Sequence, residues 1–224
     1  MPYDESLEYV PCRSVVLSGS YLTAPTSTIR ASMRVLTWQS KVAEAAAPAR
    51  RATEDDLRDT PRDGRKYELV DGQIIMSPAG FRHGLIALRL GARLLAFIEQ
   101  SDLGYVLDSS TGFRLPGGNV RSPDASFVAK QRVPDARAPQ GFAEVAPDLA
   151  VEVLSPDDHP RAILDKVGEY LQAGVRLVWI VDPQAGRAAV YRSLTDVREL
   201  TADDSLEGED VVPGFRCRLI ELLQ

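Results

Sequence analysis

The sequence predicts a mixed α/β domain in which helices flank one central β-sheet. Three features carry this prediction. Asp71-Gly72 separates two short apolar stretches, which is the strongest hairpin signal in the chain. Residues 148–154 predict a strand that is buried on both faces. A helical stretch at 161–173 joins that strand to another one at 175–181, and such a crossover adds parallel pairing to an otherwise antiparallel run.

Composition and charge exclude several classes of protein. Of the 224 residues, 44% are hydrophobic and 26% are charged, so the chain can bury a full core and stay soluble. The net charge of −6 argues against a protein that coats nucleic acid by electrostatics alone. It does not exclude an enzyme that meets DNA through a local basic strip and a carboxylate-bound cation. Two cysteines and two histidines are too few for a disulfide framework or a histidine-rich metal site.

The sequence gives no sign of a membrane span or a signal peptide. The most apolar long stretch, residues 84–98, carries Arg89 and Arg93 and is shorter than the roughly 20 residues that a span requires. Residues 1–10 contain three acidic side chains, where a signal peptide would have positive charge. We therefore expect a cytoplasmic protein that does not enter the membrane.

The N-terminal segment differs in composition from the rest of the chain. Residues 1–50 lack sustained periodicity, are rich in Ser, Thr, Ala and Pro, and end in a stretch typical of linkers. We expect this extension to be disordered, and Met33 is an alternative start of the chain. The folded domain is expected to cover residues 51–224.

The first half of that domain begins with a helix and a hairpin. Thr53-Glu54-Asp55-Asp56 predicts a capped helix that ends before Pro61. The hairpin strands are predicted at 66–70 and 73–76, and a long helix follows over 82–99. Its predicted core-facing side is formed by Leu85, Leu88, Ala92 and Leu95.

Strands then alternate with turns up to the C-terminus. They are predicted at 104–107, 112–115, 124–128, 148–154, 175–181, 188–192 and 197–200. The Pro- and Ala-rich segment 130–147 predicts a mobile loop, and the acidic segment 203–210 predicts a solvated loop. The helix over 161–173 ends at Gly174, which suits a left-handed cap.

Glu152 is the strongest candidate for a functional residue. It lies in the middle of a strand whose other residues are apolar. An unpaired buried charge costs several kcal/mol, so a carboxylate there needs a cation, a shell of hydrogen bonds or a proton. The structural alternative is a glutamate on a half-solvated face or one paired with a nearby arginine.

Asp124 is the natural partner of Glu152. Pro123 holds the backbone extended just before it, at the start of a predicted strand. If that strand pairs with the one that carries Glu152, the two carboxylates lie about 5 Å apart across the ladder. A divalent cation would relieve their repulsion, and Mg²⁺ prefers a few carboxylates plus waters. Taken alone, Asp124 is more often a turn residue at a strand start.

Three further residues are weaker candidates. Lys166 lies at the edge of the apolar stripe of its helix, where it either packs its aliphatic stem or supports a metal-bound water or a phosphate. Glu68 lies on the first hairpin strand, where many residue types would serve. His83 heads the long helix, either as part of its cap or facing a site.

Several of these residues stand in motifs that resemble the Uma-two family of bacterial restriction endonucleases. In order, the motifs are Tyr67-Glu68-Leu69-Val70-Asp71-Gly72, Ser77-Pro78 with His83, Arg121-Ser122-Pro123-Asp124, residues 147–156, Lys166 with Tyr170, and residues 174–183. The resemblance covers about residues 53–223, and the ordered set is specific although each motif is weak. It implies a branch of the PD-(D/E)XK nuclease superfamily, with a restriction-endonuclease-like central mixed sheet between helices.

The resemblance also implies roles for individual residues. Asp124 matches the Asp of the PD element and Glu152 the acidic residue of the second element, and both would ligate Mg²⁺ or Mn²⁺. Glu68 matches an acidic position of the family and would add a ligand. Leu154 stands where the superfamily has its lysine, whereas Lys166 matches the lysine of the family. The implied activity is metal-dependent cleavage of DNA, and a homodimer is the simplest way to cut both strands.

Two other functions stay open at this point. The acidic balance and the missing strand lysine favour a non-catalytic module of the same fold that binds DNA or protein. A metal-dependent hydrolase of RNA or of a small phosphorylated molecule would carry the same residues. Four basic residues near the predicted site either contact backbone phosphate or form a solvated strand edge, namely Arg114, Arg121, Lys130 and Arg132.

Overall fold

The computed structural model describes residues 50–63, 65–76, 80–133 and 141–224. Predictions for residues 1–49, Met33 among them, and for Ser77-Pro78 lie outside these ranges. The helices are α1 (Glu54–Arg58), α2 (Phe81–Ser101), α3 (Pro160–Gln172) and α4 (Ile220–Leu223). The strands are β1 (Tyr67–Val70), β2 (Gln73–Met76), β3 (Gly104–Asp108), β4 (Phe113–Arg114), β5 (Val120–Arg121), β6 (Ala125–Ala129), β7 (Leu149–Val153), β8 (Leu177–Asp182), β9 (Arg187–Tyr191), β10 (Val197–Thr201), β11 (Ser205–Glu207) and β12 (Arg216–Arg218).

A six-stranded mixed sheet forms the centre of the domain, in the order β10-β9-β8-β7-β6-β3. β7 and β8 are parallel and are joined by α3, whereas the other neighbours are antiparallel. Residues of α2 pack in one core cluster with Phe127 and Val151, and residues of α3 pack in another with Ala150 and Val178. Because side chains alternate along a strand, α2 and α3 cover opposite faces of the sheet. The predicted mixed α/β class with helices flanking a central sheet is confirmed.

The hairpin belongs to a second sheet, which the prediction of one central sheet did not include. β1 pairs with β2 and, through Leu69 and Val120, with β5, giving the order β2-β1-β5-β4. Leu57, Leu69 and Val120 form a small core of their own under this sheet. The chain then passes through Ser122 and Pro123 into β6 of the central sheet. This short passage brings β1 close to the end of β6.

Local signals at turns and caps were predicted correctly. The side chain of Thr53 accepts from the backbone N–H of Asp56, whose carboxylate accepts from the backbone of Thr53, so α1 has the expected capping box. Asp71 and Gly72 have φ values of 51° and 76°, as a two-residue hairpin loop with a primed turn requires. In the part of the chain that the structure describes, no helix is long and apolar enough to cross a membrane.

The predicted core face of α2 is wrong. The residues that the helix buries are Ile86, Leu90, Leu94 and Ile98. Leu88 is 72% exposed and Leu95 is 41% exposed. The helix carries two apolar stripes, and the periodicity alone does not distinguish the one that packs on the sheet. The other stripe faces an open cavity, described below.

The acidic segment near the C-terminus is also not a simple loop. Residues 205–207 form β11, which pairs with β12 and completely buries Leu206. The acidic side chains flank this buried leucine in the sequence, and a strand accommodates them because its side chains alternate between two faces. The acidic composition of the segment does not show this alternation, so composition alone does not predict the strand.

Candidate active site

Asp124 and Glu152 lie at the same end of the β6–β7 ladder. The register ends with Ala125 opposite Val151, so Asp124 directly precedes the paired part of β6 and Glu152 directly follows Val151 on β7. The backbone N–H of Asp124 donates to the carbonyl of Val151 at 2.9 Å, which continues the ladder to this position. Both residues are 7% exposed. The predicted pairing of the two strands is therefore confirmed, and it brings Asp124 next to the end of β7 that carries Glu152.

Two side chains from other parts of the chain contact the carboxylate of Asp124. Lys66 places its Nζ 3.0 Å from Oδ1, and His83 places its Nε2 2.9 Å from Oδ2. The backbone N–H of Val153 donates to Oδ2 at 2.8 Å. Burial would raise the pKa of Asp124, but the His83 hydrogen bond and the charge of Lys66 hold this pKa well below its ordinary value. Asp124 is therefore an anion at neutral pH.

Glu152 receives two donors on one carboxylate oxygen. The hydroxyl of Tyr170 donates to Oε1 at 2.6 Å, and Nζ of Lys166 lies 2.9 Å from the same atom. Burial raises the pKa of Glu152, and the charges of Asp124 and Glu68 raise it further against the attraction of Lys166. The carboxylate of Glu152 is therefore buried, and the ammonium group of Lys166 compensates its charge.

Glu68 extends the same cluster from the second sheet. Its Oε1 accepts from the backbone N–H of Ser122 at 2.7 Å, and its Oε2 lies 3.4 Å from Arg121. Lys166 is 3.6 Å from Oε1 and so lies between Glu68 and Glu152. Burial would raise the pKa of Glu68, but the charges of Lys166 and Lys66 bring it below its ordinary value. Glu68 is 3% exposed and is central rather than peripheral to the cluster.

Lys166 points into this cluster from α3. Lys166 and Tyr170 are four residues apart on the helix, so their side chains lie on one face and reach the same oxygen of Glu152. Burial would lower the pKa of Lys166, but the charges of Glu152 and Glu68 raise it above its ordinary value. The ammonium group is therefore permanently charged at neutral pH.

Each of the four basic residues that were expected to contact phosphate or to form a solvated strand edge is paired with a carboxylate. Arg121 is 8% exposed and makes a bidentate pair with Glu169 at 2.8 and 2.6 Å. A buried, bidentate arginine is part of the scaffold and does not form a solvated edge. The remaining pairs are Arg114 with Glu54 and Glu144, Lys130 with Asp102, and Arg132 with Asp148.

An open cavity of about 760 Å³ gives access to the cluster. Asp124, Glu152 and Lys166 contribute to its lining, together with Lys66 and His83. The exposed apolar stripe of α2 forms another part of the wall, through Leu88, Ala92 and Leu95. The cavity therefore combines a charged region with an apolar wall, as sites for organic ligands commonly do.

The donor set fits a magnesium or manganese ion. Within the described ranges, no group of three or more His, Cys, Asp or Glu residues has the geometry of a preformed metal site. Mg²⁺ is commonly held by only one or two carboxylates, with waters and substrate phosphates completing its shell. Asp124 and Glu152 supply two such carboxylates in one cavity.

Sequence reasoning missed Lys66, although a local signal was present. Lys66 stands two residues before Glu68 at the start of the first hairpin strand, and a period of two places both side chains on one face. Because Glu68 is a candidate site residue on that face, Lys66 is a candidate as well. Tyr170 was not predicted as a site residue and was named only as part of a family motif. It stands four residues after Lys166, so the two side chains share one face of the helix, and a partner of Lys166 is within reach of Tyr170 as well.

Comparisons with known proteins agree on the kind of fold. The model of the Uma-two family, described as "Putative restriction endonuclease", matches residues 54–220. The chain is similar to a crystal structure from Anabaena variabilis, described as "a putative nuclease belonging to DUF820". The two share 20% sequence identity with a TM-score of 0.66, over 76% of this chain and 97% of that chain. A search of curated proteins gives no match.

Proposed function

The chain belongs to the Uma-two family of putative restriction endonucleases, and we propose that it is a divalent-metal-dependent endonuclease that hydrolyses phosphodiester bonds in DNA. One observation carries the proposal. Asp124 and Glu152 lie at the same end of a strand ladder, and Lys166 contacts Glu152 at 2.9 Å in the same cavity. Two carboxylates and a lysine of this kind are what metal-assisted hydrolysis of a phosphodiester needs.

Asp124 and Glu152 would hold Mg²⁺ or Mn²⁺. A bound divalent cation lowers the pKa of water and neutralises charge on a phosphate. Tyr170 and Lys166 both contact Oε1 of Glu152, so Oε2 has no partner among the side chains that the structure describes. Burial raises the pKa of Tyr170 well above its ordinary value, so its hydroxyl stays protonated and fixes the carboxylate by donating to it.

Lys166 would act on the attacking water and on the phosphate. Its ammonium group carries a fixed positive charge beside Glu152, where negative charge develops on the phosphate during hydrolysis. Glu68 contacts the same lysine from the other side and is itself anchored by the N–H of Ser122. We propose that Glu68 positions Lys166 and supplies a third oxygen ligand for the cation.

A non-catalytic module with this fold is the second candidate. The observation that favours it is the pairing of each carboxylate with a protein cation: Lys66 with Asp124, Lys166 with Glu152, and Arg121 with Glu68. Such a network is already neutralised and could serve as a buried scaffold for a surface that binds DNA or protein. Binding of Mn²⁺ that depends on Asp124 and Glu152 distinguishes the enzyme from this module.

The experiment is a cleavage assay with supercoiled and single-stranded DNA in Mg²⁺, Mn²⁺ or EDTA. The wild type is compared with the double variant Asp124→Asn, Glu152→Gln, and with Asp203→Asn as an exposed acidic control outside the cavity. We expect metal-dependent nicking by the wild type and the control, and none by the double variant. Equal cleavage by the double variant contradicts the site. Absence of cleavage by folded wild type favours the non-catalytic module, and preferred cleavage of RNA assigns a different substrate.

A further inference from the structure

The two oxygens of the Asp124 carboxylate have different environments. Oδ2 accepts from the backbone N–H of Val153 at 2.8 Å and lies 2.9 Å from Nε2 of His83. Oδ1 is contacted by the ammonium group of Lys66 at 3.0 Å. Oδ2 is therefore fixed by a strand backbone and a helix side chain, whereas Oδ1 is held by one long, flexible side chain.

Lys66 is placed so that it can leave this position. It precedes β1, its side chain is 17% exposed, and it lines the open cavity, whereas the carboxylate of Asp124 is 4% exposed. Asp124 is the single carboxylate partner that the described residues provide for Lys66 within ion-pair distance. Lysine is a compact charge on a flexible stem, so its removal from Oδ1 does not require the backbone to move.

We propose that Lys66 is a resident counter-ion of the Asp124 carboxylate and leaves that carboxylate when a divalent cation binds. The proposal rests on the proposed function of the site. A cation coordinated by this carboxylate and an ammonium group at hydrogen-bond distance from the same carboxylate would repel each other strongly in this poorly solvated place. One of them must therefore leave, and Lys66 is the one that can turn into the cavity.

Lys66 has a different role in the metal-free and in the metal-bound protein. Without the metal, the ammonium group of Lys66 compensates the buried negative charge of Asp124. If Lys66 were absent from the metal-free site, that charge would lack a cationic partner of this kind. With the metal bound, the released ammonium group stays in the cavity, where a substrate phosphate would enter. Lys66 thus competes with the cation in the first state and is available to the substrate in the second.

Isothermal titration of the DNA-free protein with Mn²⁺ tests the exchange without measuring cleavage. The variants are Lys66→Met, which keeps the length of the stem and removes the charge, and Lys66→Gln as a second neutral form. Because the competing ammonium group is gone, we expect both to bind Mn²⁺ about tenfold more tightly than the wild type. Lys66→Arg, which retains the charge, is expected to bind no more tightly than the wild type.

Arg65→Met is the matched control, because Arg65 lines the same cavity and pairs with Asp63 rather than with Asp124. Its affinity for Mn²⁺ should stay within about twofold of the wild type. Unchanged or weaker binding of Mn²⁺ in both neutral Lys66 variants overturns the exchange. If the wild type binds Mn²⁺ and the Asp124→Asn variant does not, the proposed metal site still stands. Absence of Mn²⁺ binding in the wild type and in all Lys66 variants overturns both proposals.

Discussion

The ammonium group of Lys166 lies 2.9 Å from Oε1 of Glu152, although the two residues stand on different elements, α3 and β7. Leu154 stands two residues after Glu152, so no lysine follows Glu152 at that spacing. The crossover helix delivers the charge from another direction to the same carboxylate. The positive charge beside Glu152 therefore comes from the crossover helix and not from the strand that carries Glu152.

Substitution of Lys166 should abolish cleavage and also weaken the fold. Lys166→Met leaves Glu152 and Glu68 without the cation between them, and an uncompensated buried charge costs about 3 kcal/mol. We expect nicking of supercoiled DNA to fall below detection and the urea midpoint to decrease. The variant should still be folded at neutral pH, because a domain of this size has more stability than that.

A compensated double variant separates the two effects. Adding Glu68→Gln to Lys166→Met removes one negative charge together with the positive one and should recover most of the lost stability. Cleavage should not return, because the ammonium group beside Glu152 is still missing. A double variant that regains stability and cleavage together would show that Lys166 serves the fold alone.

Glu68 should stabilise the protein most at neutral pH. Its folded pKa is below the ordinary value of 4.5, because nearby positive charges outweigh the effect of burial. A lowered folded pKa means that the contribution is complete above about pH 5 and is lost as the pH falls through the folded pKa. Glu68→Gln should therefore reduce the free energy of unfolding by about 1–3 kcal/mol at pH 7.

The difference between wild type and Glu68→Gln should shrink as the pH falls below about 4.5. Urea denaturation at a series of pH values measures it. Arg50→Gln serves as a control for general charge effects, because Arg50 pairs with Asp56 on the exposed surface. A difference that is the same at pH 7 and at low pH would contradict the assigned ionisation of Glu68.

The buried face of α2 can be tested with two leucines on the same helix. Leu90 is fully buried against the central sheet, whereas Leu88 is 72% exposed at the cavity wall. Leu90→Ala should cost about 2–5 kcal/mol of unfolding free energy, and Leu88→Ala should change it by less than about 0.5 kcal/mol. Equal losses in the two variants would contradict the orientation of the helix.

Local sequence signals predicted most of the central fold. The Asp71-Gly72 turn, the buried strand around Glu152 and the helix before Gly174 each depend on a few adjacent residues, and all three are present. The face of α2 was not predictable in this way, because two apolar stripes compete and only packing on the sheet selects one. The strand that buries Leu206 was missed because acidic neighbours dominated its composition.

The part of the candidate site that could be predicted from the sequence is the part in which a charged residue stands among apolar ones. Glu152 stood out against its apolar strand, and Asp124 followed from the pairing of two strands. The period of two places Lys66 on the same face as Glu68, but Lys66 and Asp124 are 58 residues apart in the sequence, so periodicity does not predict that these two side chains meet. The same holds for the anchoring of Glu68 by the N–H of Ser122.

The central claim is that a divalent cation binds between Asp124 and Glu152. Anomalous diffraction at the manganese edge, from crystals of the wild type grown with Mn²⁺, tests it most directly. We predict an anomalous peak in contact with a carboxylate oxygen of each residue, and no such peak in crystals of the variant Asp124→Asn, Glu152→Gln. A peak bound by other residues, or an empty site in a protein that cleaves DNA with Mn²⁺, would contradict the claim.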